Sequence, residues 1–413
     1  MQSHKPVLEQ DEAVGHAVRA GYMYSGMADV AAITGDSSYV RAIDRIWENI
    51  VGKKIYITGG IGARHEGEAF GDNYELPNLT AYNETCAAIG NVYTNYRLFL
   101  LHGDAKYFDV LERTLYNGLI SGVSLDGGRF FYPNPLACDG KYRFNADHTI
   151  TRQPWFGCAC CPSNISRFIP SLPGYVYAVK DDKVYVNLFL SNRAKLKVNG
   201  KNVVLEQETS YPWNGDIRLT VAKGNQPFVM NVRIPGWVRG SVLPGGLYSY
   251  ADGEELAYRV SVNGQEVKGA LQKGYLSIDR HWKKGDVVEI HFDMQPRVVK
   301  ANDKVAANRG RVAIEHGPLV YCAEWPDNDF DISTLLLNRH PKFQVVEHPD
   351  LLGGINEITT RAQALSYDAT GRLAAKDVKL TLIPYYAWAH RGEGRMEVWL
   401  PIEVGAASAE LQE

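Results

Sequence analysis

The chain has 413 residues, of which 45% are hydrophobic and 22% are charged. This is an ordinary balance for a globular protein, and the length predicts two or three domains rather than one compact core. A formal net charge of -3 gives no electrostatic reason to expect nucleic acid or an anionic membrane as a partner. We therefore expect a small or neutral ligand.

The N-terminal residues and the cysteines indicate a compartment. No apolar run approaches the ~20 residues of a membrane span, and residues 1–11 are polar, without a secretory signal. This predicts a cytoplasmic protein. In so long a chain without a signal peptide, reduced thiols or metal ligation are favoured over disulfides. The cysteines are Cys86, Cys138, Cys158, Cys160, Cys161 and Cys322.

Helical periodicity runs from about residue 11 to 172, with apolar residues three and four apart, as at Val40, Ile43 and Trp47. The Gly-Asp pair at 35–36 recurs at 103–104, each time between two predicted helices. Gly ending one helix and Asp starting the next predict the corner of a helical hairpin. The repeat predicts stacked hairpins in a toroid or solenoid.

Two long irregular segments interrupt the helices, at residues 58–80 and 126–161. The first begins with a Gly-rich turn and is dense in Asn, Pro and charge. Loops of that length inside a domain tend to carry function. We expect both at helix ends, where a site can assemble.

After Pro173 the period changes to two, as in residues 184–190, 228–234 and 287–292. Asn-Gly pairs at 199–200, 214–215 and 263–264 predict hairpin turns. The pattern predicts a β-sandwich over residues 174–300. A change near 300–308 predicts a second sandwich over 301–413. With the helical residues 1–173, this is a multidomain α+β chain.

The densest chemical signal is the segment 158–164, Cys-Ala-Cys-Cys-Pro-Ser-Asn. Thiolate is a soft ligand that zinc prefers, and tetrahedral sites take four donors from Cys, His or carboxylate. Adjacent cysteines cannot face one ion from a regular helix or strand, so we expect Cys160 and Cys161 on a turn before a helix beginning at Pro162. Buried thiols and a vicinal disulfide stay open as alternatives.

Further donors stand in two other segments. Glu84 and Cys86 are two residues apart at a predicted helix start, where a carboxylate and a thiol can converge on one ion. Glu68 lies in a carboxylate-rich stretch, residues 65–72, and a carboxyl with a raised pKa there would protonate a leaving oxygen. The alternative for such charges is a solvated loop.

These segments together, in this order, resemble the β-L-arabinofuranosidase family, glycoside hydrolase family 127. The resemblance covers about residue 5 to the end of the chain, and it implies an (α/α)6 toroid catalytic domain followed by two β-sandwiches. The segments that carry it are residues 16–20, 22–29, 58–62, 67–70, 84–87 and 155–162.

The resemblance also implies roles. Glu84, Cys86, Cys160 and Cys161 would bind Zn2+, Cys160 would be the nucleophile, and Glu68 would be the general acid/base. The implied reaction retains configuration through a thioglycosyl intermediate. The resemblance further places three residues against the sugar, which on sequence grounds alone are ordinary helix or loop residues. They are His16, Glu112 and Tyr132.

One departure from the family concerns length. The family's helical domain is a ring of six hairpins, and this chain provides about half of them, so we expect a partial toroid that is either a fragment or completed by a partner chain, as in a homodimer. The expected ligand is a small furanoside. Two alternatives stand beside the hydrolase: a non-catalytic protein of the same fold with structural zinc, and a redox thiol protein.

Overall fold

The computed structural model describes residues 2–408, and its first part is helical. Within these residues, no helix has the length and apolar character needed to cross a bilayer. The α-helices are α1 (Ala17–Thr34), α2 (Ser37–Asn49), α3 (Thr85–His102), α4 (Lys106–Thr114), α5 (Cys160–Phe168), α6 (Pro173–Val176) and α7 (Val404–Ser408).

The two predicted helical hairpins, α1–α2 and α3–α4, are both present. Gly35 follows α1 with φ 72°, and Gly103 follows α3 with φ 62°, so each hairpin turns on a left-handed glycine. The Asp36 side chain accepts the backbone N–H of Ser38 at the start of α2, and Asp104 accepts that of Lys106 at the start of α4. The sequence repeat is therefore confirmed as a structural repeat.

The Gly-rich turn after α2 packs the first irregular segment, residues 58–80, against α4. Gly59 has φ 79°, and a Cβ there would lie 2.5 Å from the Thr114 Cα atom. The Gly59 carbonyl accepts hydrogen bonds from Asn91 Nδ2 (3.1 Å) and Thr114 Oγ1 (3.2 Å). The turn is Gly-rich because another backbone approaches it closely.

The rest of the chain forms three sheets. The four-stranded sheet has the order β11-β7-β3-β2, with β3 and β7 parallel, and the six-stranded sheet has the antiparallel order β10-β9-β12-β6-β5-β4. Their strands are β2 (Tyr177–Lys180), β3 (Lys183–Val186), β4 (Asn192–Val198), β5 (Lys201–Thr209), β6 (Asp216–Lys223), β7 (Asn225–Arg233), β9 (Tyr258–Val262), β10 (Gln265–Glu266), β11 (Tyr275–Lys283) and β12 (Val287–Phe292).

The third sheet has 11 strands, along the path β16-β18-β19-β15-β14-β13-β8 with β1, β17, β20 and β21 attached. Its strands are β1 (Ala137–Asp139), β8 (Tyr248–Tyr250), β13 (Pro296–Ala301), β14 (Arg311–His316), β15 (Leu319–Glu324), β16 (Leu335–Leu337), β17 (Gln344–His348), β18 (Ile355–Tyr367), β19 (Leu373–Pro384), β20 (Arg395–Glu397) and β21 (Leu400–Pro401).

Alternation of buried and exposed side chains explains these sheets. In β6 the apolar residues Ile217, Leu219 and Val221 are buried while their neighbours are exposed or half-buried. They share one hydrophobic core with Val184 and Met230 of the four-stranded sheet. The chain is thus a multidomain α+β protein with helices first and sheets after.

The third sheet also reaches into the helical part. Strand β1 lies between α4 and α5 in sequence, and it pairs antiparallel with β20 near the other end of the chain, with Cys138 opposite Met396. Strand β8 likewise pairs with β13. Because these pairings join distant segments, alternation within a segment carries no signal for them.

A buried ionic network joins α4 to the sheets. Asp109 contacts Arg233 Nη1 (3.0 Å) and Arg239 Nη2 (2.6 Å), and Glu112 accepts hydrogen bonds from Arg233 and from the Tyr211 hydroxyl. Arg233 is fully buried. Because such charges are costly unless paired, the network fixes α4 against the β-region. Helix α4 in turn packs against α3, which carries part of the candidate site.

Candidate active site

Four predicted ligand residues converge where the N-termini of α3 and α5 meet. Glu84 is the N-cap residue of α3, and Cys86 lies in its first turn, as predicted from their spacing. Helix α5 begins at Cys160. The expectation that it begins at Pro162 is therefore wrong by two residues, and Cys160 and Cys161 lie in its first turn.

These four residues form a compact cluster, which we call the thiol cluster. Their ligand atoms all lie within 4.8 Å of one another. The Cys160 and Cys161 Sγ atoms are 3.8 Å apart, and Glu84 Oε1 lies 3.5 Å from the first and 3.3 Å from the second. Glu84, Cys86 and Cys161 are buried, and Cys160 is half-buried. None of the chain's six cysteines forms a disulfide, and all six lie within residues 2–408.

The electrostatics of the thiol cluster favour one negative charge, on Cys160. Hydrogen bonds from Cys161 and Cys86 hold the pKa of the Cys160 thiol well below its ordinary value. The bond to Cys160 raises the pKa of Cys86, and burial raises that of Cys161. Burial, with the charge of Cys160 next, raises the pKa of Glu84 to about 8. Further deprotonation requires a positive charge in the cluster.

The thiol cluster fits a tetrahedral metal ion. Bonds of about 2.3 Å to sulfur and 2.1 Å to oxygen give tetrahedral edges of about 3.8 Å between two sulfurs and 3.6 Å between sulfur and oxygen. The distances between Cys160, Cys161 and Glu84 are close to these values. In addition, Glu84 Oε2 is buried and has no hydrogen-bond partner among the described residues. The Glu84 carboxylate therefore has acceptor capacity left for an ion.

Glu68 and His16 lie beside the cluster. Glu68 Oε2 is 2.7 Å from His16 Nε2, and one ligand atom of each of these residues lies within 4.8 Å of a Glu84 oxygen. Glu68 has φ 50°, which is strained for a residue with a side chain. His16 is the N-cap residue of α1, and desolvation, the largest effect on it, lowers its pKa. A carboxylate–imidazole pair therefore lies beside the Glu84 carboxylate of the thiol cluster.

Two tyrosines lie beside Cys160 and Glu68. Tyr132 lies on the second irregular segment, and its Oη atom is 3.0 Å from Cys160 Sγ. The Tyr82 hydroxyl donates a hydrogen bond to Glu68 Oε1 (3.1 Å), and the ring centroids of Tyr82 and Tyr132 are 6.1 Å apart. Sequence reasoning did not identify Tyr82. Its signal was its position two residues before Glu84, which alone does not separate it from other loop tyrosines.

Glu112 lies elsewhere. It is buried, and none of the hydrogen bonds or ion pairs found for it in residues 2–408 involves the thiol cluster, because Arg233 and Tyr211 occupy its carboxylate. The structure thus brings His16 and Tyr132 to the cluster and leaves Glu112 in the network behind α4. Cys158 is exposed, with Sγ 4.0 Å from Tyr132 Oη, and is outside the thiol cluster.

Comparison with known proteins identifies the family along most of the chain. Residues 1–174 match the β-L-arabinofuranosidase GH127 catalytic domain, and residues 183–294 match the GH127 middle domain. Residues 296–401 match the C-terminal domain of glycoside hydrolase family 127.

Individual relatives agree. A non-reducing end β-L-arabinofuranosidase of Bifidobacterium longum subsp. longum is 37% identical, over 96% of this chain and 61% of that protein. A solved GH127 β-arabinofuranosidase is 75% identical with a TM-score of 0.95, over 98% of this chain and 63% of that one. A GH127 β-L-arabinofuranosidase from Geobacillus stearothermophilus T6 is 42% identical with a TM-score of 0.89, over 97% and 62%.

A third solved structure, of a glycoside hydrolase, is 34% identical with a TM-score of 0.87, and the match covers 97% of this chain and 68% of that one. The chain spans 61% to 63% of the length of the first relatives. Every one of its three segments nonetheless matches a model of the same family. The chain belongs to the β-L-arabinofuranosidase family, glycoside hydrolase family 127.

Proposed function

We propose that the chain hydrolyses β-L-arabinofuranosides from the non-reducing end, with retention of configuration and with Cys160 as the nucleophile. The observation that carries this proposal is the position of the Glu68–His16 pair beside the thiol cluster, in which hydrogen bonds to Cys160 lower the pKa of its thiol. The names of the relatives support the substrate class. A β-L-linked arabinofuranose or a related furanose is thus the proposed small-molecule partner.

We propose zinc as the metal, held by Glu84, Cys86, Cys160 and Cys161. Three sulfur donors and one carboxylate are a soft set that suits zinc better than magnesium or calcium, which prefer oxygen. Zinc bound there would keep Cys160 deprotonated at neutral pH.

In the first half-reaction, the Cys160 sulfur attacks the anomeric carbon while Glu68 donates its proton to the leaving oxygen. The electron pair of the broken C–O bond stays on that oxygen, and a C–S bond forms. Tyr132 orients the sulfur through its 3.0 Å contact. His16, against Glu68, is placed to contact the sugar beside the proton-transfer oxygen.

In the second half-reaction, water attacks the same carbon from the side that the leaving group vacated, and Glu68 takes its proton. The C–S pair returns to Cys160. Two inversions give net retention.

Two finer features of the fold belong to the same proposal. We propose that α1–α4 are hairpins of an (α/α)6 toroid and that the sheets form two β-sandwiches. Contacts of β11 with β6 and of β2 with β4, together with shared core residues, support packing of the four- and six-stranded sheets as the first sandwich. A cytoplasmic location and a homodimer stay predictions.

The test uses the zinc-loaded 413-residue chain and 4-nitrophenyl β-L-arabinofuranoside. Hydrolysis is expected for the wild type and a loss of about 10³-fold or more in kcat for Cys160→Ser. Cys322→Ser is the matched control, because Cys322 is a buried thiol in β15, outside the thiol cluster.

Full activity of Cys160→Ser would refute the nucleophile. Bound zinc without any turnover of the wild type would favour the alternative of a non-catalytic protein with structural zinc. Product analysis at early times distinguishes retention from inversion, and an inverted sugar would refute the covalent route.

A further inference from the structure

The side chain of Glu68 projects from a tight turn of the backbone. Glu68 ends a short 3-10 turn, Glu66–Glu68, with its N–H bonded to the His65 carbonyl at 3.0 Å, and it has φ 50° directly after Gly67 at φ 68°. The side chain itself is 32% exposed. A proton donor must be held within a narrow geometry to be effective. Its orientation therefore depends on side-chain contacts.

Each Glu68 oxygen has a different partner. Oε1 accepts the Tyr82 hydroxyl at 3.1 Å, and Oε2 lies 2.7 Å from His16 Nε2. Tyr82 itself is held in place, because it is buried and its ring packs edge-to-face with that of His65, with the ring centroids 5.1 Å apart. Its backbone carbonyl also accepts the Asn134 N–H at 3.0 Å.

We propose that Tyr82 is a positioning residue that assigns proton transfer to one oxygen of Glu68. This inference rests on the proposed hydrolysis. A phenol has one proton to donate, and here it is given to Oε1. Oε1 is thereby kept as an acceptor, and the transferable proton resides on Oε2. Nε2 of His16, 2.7 Å away, is then the unprotonated ring nitrogen that accepts this proton until the leaving oxygen of the sugar takes its place.

The assignment balances in both half-reactions. The Oε2–H bond breaks as its proton moves to the leaving oxygen, which keeps the electron pair of its broken bond to carbon. Oε2 later takes a proton from the attacking water. Tyr82 keeps its own proton throughout. The Tyr82 ring also packs against that of Tyr132, whose hydroxyl contacts Cys160. The two adjacent tyrosines therefore contact both Glu68 and Cys160.

The test is Tyr82→Phe, which removes the hydroxyl and keeps the ring. We measure kcat/KM, which reports the first half-reaction, on furanosides with a methyl and a 4-nitrophenyl leaving group. Methanol leaves poorly and needs the acid, whereas nitrophenol needs it little. We expect a loss of about 10- to 100-fold with methyl and below about threefold with nitrophenyl.

The matched control is Tyr24→Phe, because the Tyr24 hydroxyl is buried in α1 without a partner among the described residues. It should change kcat/KM by a similarly small factor on both substrates. A second comparison combines Tyr82→Phe with Glu68→Gln. If Tyr82 acts through Glu68, the double variant is as active on the methyl furanoside as Glu68→Gln alone.

If Tyr82→Phe lowers kcat/KM equally on both substrates, the residue has a general structural role and the inference is overturned. The same holds if the double variant has a lower kcat/KM on the methyl furanoside than Glu68→Gln. A wild type active on both substrates and a Tyr82→Phe variant indistinguishable from it would overturn the inference alone. A wild type that hydrolyses neither substrate would overturn the proposed function together with it.

Discussion

The buried network between α4 and the β-region gives a sharp stability prediction for Arg233→Met. Arg233 donates to Asp109, to Glu112 and, through Nε at 2.7 Å, to the Asn187 carbonyl. Methionine has a similar length and fills the space without a charge. Asp109 keeps its ion pair with Arg239, so Glu112 is the carboxylate that loses its cationic partner.

We expect this change to cost about 3–5 kcal/mol, the usual penalty for leaving one charge of a buried pair without its partner. Glu112 would keep only the Tyr211 hydroxyl at 2.9 Å among its partners in the described part of the chain. Adding Glu112→Gln to Arg233→Met should recover part of the loss, because the unpaired carboxylate is then absent.

The loss should grow with pH. Burial already raises the pKa of Glu112, and Arg233 opposes that effect. Without Arg233 the folded-state pKa rises further above the unfolded value of about 4. A carboxyl whose folded pKa is raised stabilises the folded chain at low pH, and that contribution is lost as pH rises through the folded pKa. The deficit is therefore smallest below about pH 4.

Thermal and urea unfolding at several pH values measure this deficit. Arg218→Met is the matched control, because Arg218 pairs with Glu289 at the surface, where both side chains are half exposed. That pair should contribute less than about 1 kcal/mol. Similar shifts for the two variants, or a deficit at Arg233 that shrinks as pH rises, would refute the reasoning.

Three further predictions concern the site and its support. Chelation of the proposed zinc should lower the unfolding temperature, and added zinc should restore it, because the thiols would lose their cation; an unchanged temperature would contradict a bound ion. Gly59→Ala should cost several kcal/mol in unfolding experiments, because φ is 79° and the new Cβ meets Thr114, whereas Gly35→Ala, with open space, should cost about 1 kcal/mol; equal costs would contradict the close approach. Tyr132→Phe should lower kcat about tenfold with bound zinc unchanged, because Cys160 loses its hydroxyl contact; lost zinc would instead indicate a structural role.

The sequence predicted the parts of the fold that repeat or alternate locally. The Gly-Asp corners are local signals, and both hairpins form where they occur. Glu84 and Cys86 at the start of α3 were predicted for the same reason. Helix α5 begins two residues before the start predicted at Pro162, because proline is common in the first helical turn and does not fix the first residue.

What depends on distant segments was not predictable. Pairing of β1 with β20 joins residues 137–139 to 395–397. Tyr82 reaches Glu68 only because the loop folds back on itself. Arg233 of β7 forms an ion pair with Glu112 of α4 across the boundary between helices and sheets. Contact of Glu112 with the sugar stays a prediction, and its carboxylate lies in that buried network.

The most direct test of the account is to trap the covalent intermediate in a Glu68→Gln variant. With 4-nitrophenyl β-L-arabinofuranoside the leaving group needs little acid, so Cys160 is still glycosylated, but without a base the thioglycosyl bond is hydrolysed slowly. Peptide mass spectrometry should then find one pentosyl group on Cys160. Turnover without any adduct, or an adduct on Glu84 or Cys158, would contradict the assignment of Cys160 as the nucleophile.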